Sequence, residues 1–205
     1  MREQYGQAGI GESDLAADPI EQFRRWFSEW LAEEPFDANL AVVATVDDDG
    51  WPQARAVLLK GVDERGFVFF TNYDSDKGRA IDASGRAALT FVWREMERQV
   101  RVVGSAERLP AEESDAYFAS RPRGAQLGAW ASAQSTVIEH RDVLEARVAE
   151  IAARHPDTVP RPSYWGGFLV RPHTVEFWQG RADRLHDRFR YRRAADAWTI
   201  ERLAP

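Results

Sequence analysis

At Leu40 the hydrophobic pattern changes from helical spacing to short strand-like runs bounded by turns, and this change constrains the fold more than any other feature of the chain. LAVVATV, the turn DDDG and PQARAVLLK read as a β-hairpin, and GFVFFTN adds a third strand after the turn at residues 63–66. RAALTFVW and ERQVRVVGSAERL continue the series around a tight turn at Arg94 and Glu95. GGFLVRP, HTVEFWQG, RFRYRR and WTIERL predict further antiparallel strands at the C-terminal end. Helical spacing is confined to a few segments. Asp18 and Pro19 offer an N-cap and a first-turn proline, with Glu21 three residues after the cap. Ile20, Phe23, Phe27, Trp30 and Leu31 then predict one apolar helix face. A short helix is expected to open at Ser75, Asp76 and Lys77, a longer one over residues 110–132, and an amphipathic one over 140–155 with Val143, Ala146, Val148 and Ile151 inward. The pattern describes a mainly β, α+β fold of small-barrel type with flanking helices.

At 205 residues the chain can bury one substantial core. Residues 18–205 are expected to form a single domain behind a mobile arm over residues 1–17. No apolar run is long enough to span a membrane, the opening MREQYGQAGIGESD lacks the apolar stretch of a secretion signal, and cysteine is absent. These features predict a cytoplasmic protein without membrane contact. A net charge of -6 argues against a nucleic-acid partner, so an anionic ligand would need a local cationic site.

Several segments could build one. FWQGRADRLHDRF, residues 177–189, gathers Trp178, Arg184, His186 and Arg188 around a turn at Gly180. An indole offers a flat face, guanidinium forks suit a phosphate, and imidazole can exchange a proton near neutral pH. The same stretch could also be a solvated arginine-rich hairpin with its tryptophan in the core. In PQARAVLLK, alternation puts Arg55, Val57 and Leu59 on one face and Ala56, Leu58 and Lys60 on the other. Arg55 therefore shares an apolar face and calls for an anionic partner, from the chain or from a ligand. Lys60 and Lys77 are the only lysines beside 25 arginines, and Lys77 falls at a helix start, where free N–H groups favour anions. Tyr117 and Arg121, four apart, could clamp a phosphate or form an ordinary cation–aromatic pair. Gln99 could meet a polar ring edge, and Arg2 and Tyr5 are the arm's only gripping side chains. Neither phosphate-cradling glycine loop is present, the four histidines lack metal-ligand spacing, and no nucleophile elbow occurs. An arginine-lined strand site for a planar, phosphorylated ligand is the chemistry that fits.

The motifs ADPIEQFRRW, RAVLLK, FFTN, ERQV, YFASRPRGAQLGAWAS, SYWGGF, EFWQG, RLHDRF and ERLAP, in this order, resemble the FMN-dependent pyridoxine/pyridoxamine 5′-phosphate oxidases nearly end to end. The resemblance implies a split antiparallel β-barrel with flanking helices and a homodimer holding FMN at its interface. Matched motif by motif, it assigns FMN to Arg55, Ala56, Val57, Leu58, Leu59, Lys60, Phe70, Thr71, Lys77, Gln99, Gln134, Ser135, Trp178 and Arg188. Substrate would meet Lys60, Tyr117, Arg121, Arg184 and His186, with Arg2 and Tyr5 closing over it and Arg184 and His186 at the reacting carbon. The implied reaction oxidises pyridoxine or pyridoxamine 5′-phosphate to pyridoxal 5′-phosphate, with dioxygen as final acceptor, and needs no metal. Asp76 stands where a basic residue is frequent, Ala125 where a serine is common, and Phe70 where tyrosine is frequent. A related FMN oxidase of another reduced aromatic, of phenazine type, and a flavin- or vitamer-binding protein without turnover are the alternatives.

Overall fold

The computed structural model describes residue 6, residues 8–195 and residues 197–205. Among these, eight strands form one antiparallel sheet: β1 Leu40–Val46, β2 Pro52–Asp63, β3 Gly66–Asn72, β4 Arg86–Trp93, β5 Arg98–Arg108, β6 Trp165–Gln179, β7 Asp187–Ala194 and β8 Ala197–Arg202. The order β3-β2-β1-β4-β5-β6 closes on itself through β3–β6 pairing, which makes a six-stranded split barrel, while β7 and β8 extend it. Closure gives each of the six barrel strands a neighbour on both sides and leaves β8 as the edge.

Strand β6 makes both parts possible. Its first half pairs with β3, from Asn72↔Trp165 to Phe67↔Val170, and its last residues pair with β7, from Thr174↔Arg192 to Gln179↔Asp187. GGFLVRP and HTVEFWQG are therefore one strand and not two. Pro172 falls opposite Gly104, where the β5–β6 register shifts, so its missing N–H meets an already interrupted ladder. Gly104 is required there, because a Cβ would overlap the Arg171 carbonyl.

Helix α1, Pro19–Ala32, begins as its sequence predicts: Asp18 Oδ1 accepts from the Ile20 and Glu21 amides at 2.8 and 3.1 Å. Its buried stripe differs from expectation. Trp26 is inside and Leu31 is half exposed, because the face set by Phe23, Trp26 and Trp30 follows the barrel interior. Phe23 meets Phe67 and Phe91, each at 4.9 Å between ring centroids, and Trp26 meets Phe177 at 5.2 Å. The chain ahead of α1 packs as well: Ile10 and Ala16 are buried, and the Ala16 carbonyl accepts from the Tyr191 hydroxyl at 2.7 Å.

Helices α2, Asp76–Ser84, α3, Ala111–Ser120, α4, Arg123–Ala131, and α5, Asp142–Arg154, complete the fold. The expected single helix over 110–132 is broken. Pro122 drives Arg121 to extended backbone (φ -74°, ψ 147°), ending α3 and starting α4. Phe118, Leu127, Ile151, Val159 and Trp165 join these helices to β6 in a second, smaller core. On α5, Ala146 is exposed, while Val143, Leu144 and Val148 are partly covered and Ile151 is buried. No helix among the described residues is long and apolar enough to cross a membrane.

Candidate functional site: a cationic groove and a distant loop

Ser75 caps α2 and places Lys77 in the first helical turn, nine-tenths buried. Its ammonium donates to Thr71 Oγ1 at 2.9 Å, Gln134 Oε1 at 3.0 Å and Ser75 Oγ at 3.2 Å, and no carboxylate among the described residues pairs with it. Burial, with the Arg55 charge adding to it, pushes Lys77 down to about 8. Asp76 opposes that shift, but its own carboxylate is held by Arg79 at 2.6 Å on the exposed side of the helix. Ser135, at φ 73°, turns its loop so that its hydroxyl accepts from the Asp76 amide at 3.3 Å while Gln134 reaches Lys77.

Lys77 opens into a groove of about 250 Å³ lined by Ala56, Val57, Leu58, Lys60, Phe70, Thr71, Tyr117, Arg121, Gln134 and Trp165. Among the described residues, three cations and no carboxylate line it. Phe70 and Tyr117 stack at 3.9 Å, with Trp165 nearly parallel at 5.5 Å from Phe70. The Arg121 guanidinium lies 4.5 Å over Trp165, and its Nη1 is buried without a hydrogen-bond partner among the described residues. Burial lowers the Arg121 pKa as well. An adjoining hollow of about 420 Å³ shares Phe70, Thr71, Arg121, Gln134 and Trp165 and includes Ala125. Arg55, on β2, donates to Thr45 Oγ1 at 2.8 Å and has no carboxylate partner among the described residues.

The remaining candidates lie elsewhere. Gln99, Trp178 and Arg188 sit side by side across β5, β6 and β7. The Trp178 and His186 rings are 4.6 Å apart, and His186 Nδ1 accepts from the Arg181 amide at 3.1 Å, which puts the proton of a neutral ring on Nε2. Arg188 is gripped by Glu176 through Nε and Nη2 at 2.9 and 2.7 Å and donates to the Ala204 carbonyl. Arg184 is exposed and left-handed at φ 63°, directly after Asp183 at φ 56°. Phe70 in the groove pairs with Gly167, whereas Trp178 stands about eleven residues further along β6, a contour of up to roughly 36 Å.

Residues 27–155 match the family model described as pyridoxamine 5′-phosphate oxidase, and residues 165–205 match that of the pyridoxine 5′-phosphate oxidase C-terminal dimerisation region. The pyridoxine/pyridoxamine 5′-phosphate oxidases of Burkholderia multivorans and Salinibacter ruber are 57% and 54% identical to the chain over its whole length and 97% of theirs. The chain belongs to the pyridoxamine 5′-phosphate oxidase family. Among solved structures, PhzG of Burkholderia lata in complex with tetrahydrophenazine-1-carboxylic acid superposes with a TM-score of 0.92 at 30% identity, covering 99% of this chain and all of that one. A pyridoxamine 5′-phosphate oxidase-related, FMN-binding protein of Nostoc punctiforme shares the fold, with a TM-score of 0.74 at 18% identity, covering 93% of this chain and all of that one.

For this member of the pyridoxamine 5′-phosphate oxidase family, the residues singled out in the sequence divide into two sets. The groove gathers Lys60, Phe70, Thr71, Lys77, Tyr117, Arg121 and Gln134, with Ala56, Val57 and Leu58 in its wall. Leu59 faces the core instead, and its side chain is buried there. Gln99, Trp178, Arg184, His186 and Arg188 belong to the other set, and Arg2 and Tyr5 lie outside the described residues. Tyr117 and Arg121 do converge, though not as neighbours on one helix face, since Arg121 has left the helix. Trp165 was not singled out as a site residue, yet it carries Arg121 and closes the ring stack. Its place in SYWGGF, where β6 starts beside β3, was the available signal. Glu176, which holds Arg188, sits diagonally across the β6–β7 pair from it and has no local signature.

Proposed function

We propose that the protein oxidises pyridoxine 5′-phosphate or pyridoxamine 5′-phosphate to pyridoxal 5′-phosphate, using FMN and dioxygen. The observation that carries this reading is a groove holding Lys60, Lys77 and Arg121 with no carboxylate among its described lining residues, in a protein of net charge -6. The donor set fits FMN: a buried ammonium beside hydroxyl and amide groups suits a phosphate, and Arg55 stands near, neither cation having a carboxylate partner among the described residues. Lys77, Arg55, Thr71, Gln134 and Ser135 would hold the cofactor's phosphate side, and Gln99, Trp178 and Arg188 its ring side. FMN, when bound, supplies the two-electron acceptor that dioxygen regenerates with release of hydrogen peroxide.

The chain's own part is positioning. Arg121, Lys60 and Tyr117 anchor the vitamer phosphate, with guanidinium Nη1 already desolvated and unpartnered. His186, accepting at Nδ1, presents Nε2–H toward the substrate, and Arg184 offers its guanidinium from the same loop. The loop and the groove lie far apart along β6, so a complete site is best supplied by two copies, each giving its loop to the other's groove. Leu40, Val42, Val46 and Leu58, exposed on β1 and β2 beside the groove, provide an apolar face for that contact, and residues 165–205 match a dimerisation region.

A second reading, oxidation of a reduced tricyclic aromatic, has one specific support: the likeness to PhzG, which was solved with tetrahydrophenazine-1-carboxylic acid. Anaerobic titration of the FMN-loaded protein separates the two. The flavin band is expected to bleach with the phosphate esters, not with unphosphorylated pyridoxine, and to return in air. Bleaching only by a dihydro- or tetrahydrophenazine acid would sink the vitamer assignment.

Arg121→Met tests the phosphate anchor. Losing a charge-assisted pair of about 1.5–3 kcal/mol is expected to raise KM for pyridoxine 5′-phosphate roughly 10- to 100-fold. The ligand-free variant should denature at the same or a higher temperature, because the orphaned Nη1 is removed with the side chain. An unchanged KM in steady-state assays would exclude Arg121 as the anchor.

A further inference from the structure

The loop between β6 and β7 is short, exposed and strained, yet it carries Arg184 and His186. Asp183 and Arg184 occupy successive left-handed conformations, which side chains other than glycine adopt only when their surroundings hold them there. Intrinsic preference would relax this loop, so something outside it must keep its shape.

Asp187, the first residue of β7, is placed to do so. Its carboxylate is largely covered and ties three separate segments together. Oδ1 accepts from Arg202 Nη1 at 2.8 Å, at the end of β8. Oδ2 accepts from the Ile10 amide at 3.2 Å and faces the Arg181 guanidinium, at the start of the loop, at 3.8 Å. The N-terminal segment is fastened on both sides of that point. The Gly6 amide donates to the Glu97 carboxylate at 3.0 and 3.1 Å, and Glu12 pairs with Arg202 at 2.8 Å. Between them Gly9 lies so close that a Cβ would overlap the Arg181 guanidinium and the Asp187 carboxylate. A side chain at residue 9 would have to push the Arg181 guanidinium away from Asp187. Arg181 completes the path inward, because its amide donates to His186 Nδ1 and thereby sets the imidazole against Trp178.

We propose that Asp187 is a positioning residue: with the N-terminal segment seated on it through Gly9 and Ile10, it clamps the 180–186 loop in the strained form that aims Arg184 and His186. This rests on the reading of those two residues as the groups that meet the substrate. Without the clamp the loop samples relaxed conformers, and turnover scales with the fraction that stays competent. Phosphate anchoring, in the groove, is left intact.

The test uses the full-length, FMN-loaded protein and two variants, Asp187→Asn and Gly9→Ala, the second lying outside the barrel and its core. Both are expected to lower kcat for pyridoxine 5′-phosphate roughly tenfold with KM and bound FMN little changed. Both should also speed tryptic cleavage after Arg181 and Arg184, mapped by mass spectrometry, and the double variant should be no worse than the poorer single one. Asp187→Glu, which keeps the charge, should recover part of the turnover and of the protease resistance. Wild-type protection of the loop in both variants overturns the clamp, whatever the activity. Faster cleavage with unchanged kcat overturns the positioning role. Arg184→Ala, assayed alongside, separates this from the parent reading: full turnover in that variant would reject Arg184 as a substrate group, while cleavage rates still judge the clamp.

Discussion

Arg184→Ala is expected to lower kcat/KM for pyridoxine 5′-phosphate roughly 10²- to 10³-fold while FMN remains bound, the size of effect seen when one preorganised charge-stabilising donor is removed. The division follows from where the residue sits. Arg184 is exposed on the β6–β7 loop, contributes to none of the hydrophobic clusters and has no hydrogen-bond or ion-pair partner among the described residues. Its truncation therefore spares the fold, and alanine at φ 63° carries backbone strain similar to that of arginine. The cations proposed for the FMN phosphate, Lys77 and Arg55, belong to a different part of the chain. Flavin absorbance per protomer in the purified variant, set beside its steady-state rate, checks the separation. Parallel loss of flavin and turnover would mean that Arg184 holds the cofactor and not the substrate.

Lys77→Met is expected to weaken FMN binding roughly 10- to 100-fold, because one charge-assisted hydrogen bond of about 1.5–3 kcal/mol disappears from the phosphate. Methionine nearly matches the length of the lysine stem, so packing around α2 should survive. The pH dependence has a definite sign. In the ligand-free protein Lys77 titrates at about 8, below its ordinary 10.5, because burial penalises the ammonium. Between those values the unfolded chain holds a proton that the folded chain has released, so this group makes stability rise with pH across that window. FMN affinity runs the other way, since the ligand-free protein loses its cation as pH climbs through 8. Fluorescence titration of FMN at pH 7 and pH 9.5 should show weaker binding at the higher pH in the wild type and a flatter response in Lys77→Met. Equal affinity at both values in the wild type would remove Lys77 from the phosphate site.

Much of this was legible in the chain because it depends on neighbours in sequence. The Asp18 cap needs only amides two and three residues away. The alternation of β2 put Arg55, Val57 and Leu59 on the inner face, and the structure keeps Leu59 buried and the other two partly covered. Local pattern failed where a distant segment outweighed it. Leu31 has the spacing of a core residue, but the barrel interior takes Trp26 instead, since a helix stripe is chosen by the surface it meets. Tyr117 and Arg121 have helical spacing, but Pro122 ends the helix at Ser120, so Arg121 reaches the groove from extended backbone.

By itself, then, the sequence determined the strand periods, the helix starts, the shortage of lysine that makes Lys60 and Lys77 conspicuous, and the motifs that place the chain in its family. All of these are written in residues a few positions apart. Only the tertiary structure decided that β6 runs unbroken through Pro172, that closure against β3 brings Trp165 and Arg121 to Lys77, and that Glu176 and Asp187 hold Arg188 and the 180–186 loop. Those pairings join residues from about a dozen to about a hundred positions apart. They depend on strand register and barrel closure, which arise from the simultaneous burial of many side chains and leave no mark in any one stretch of sequence.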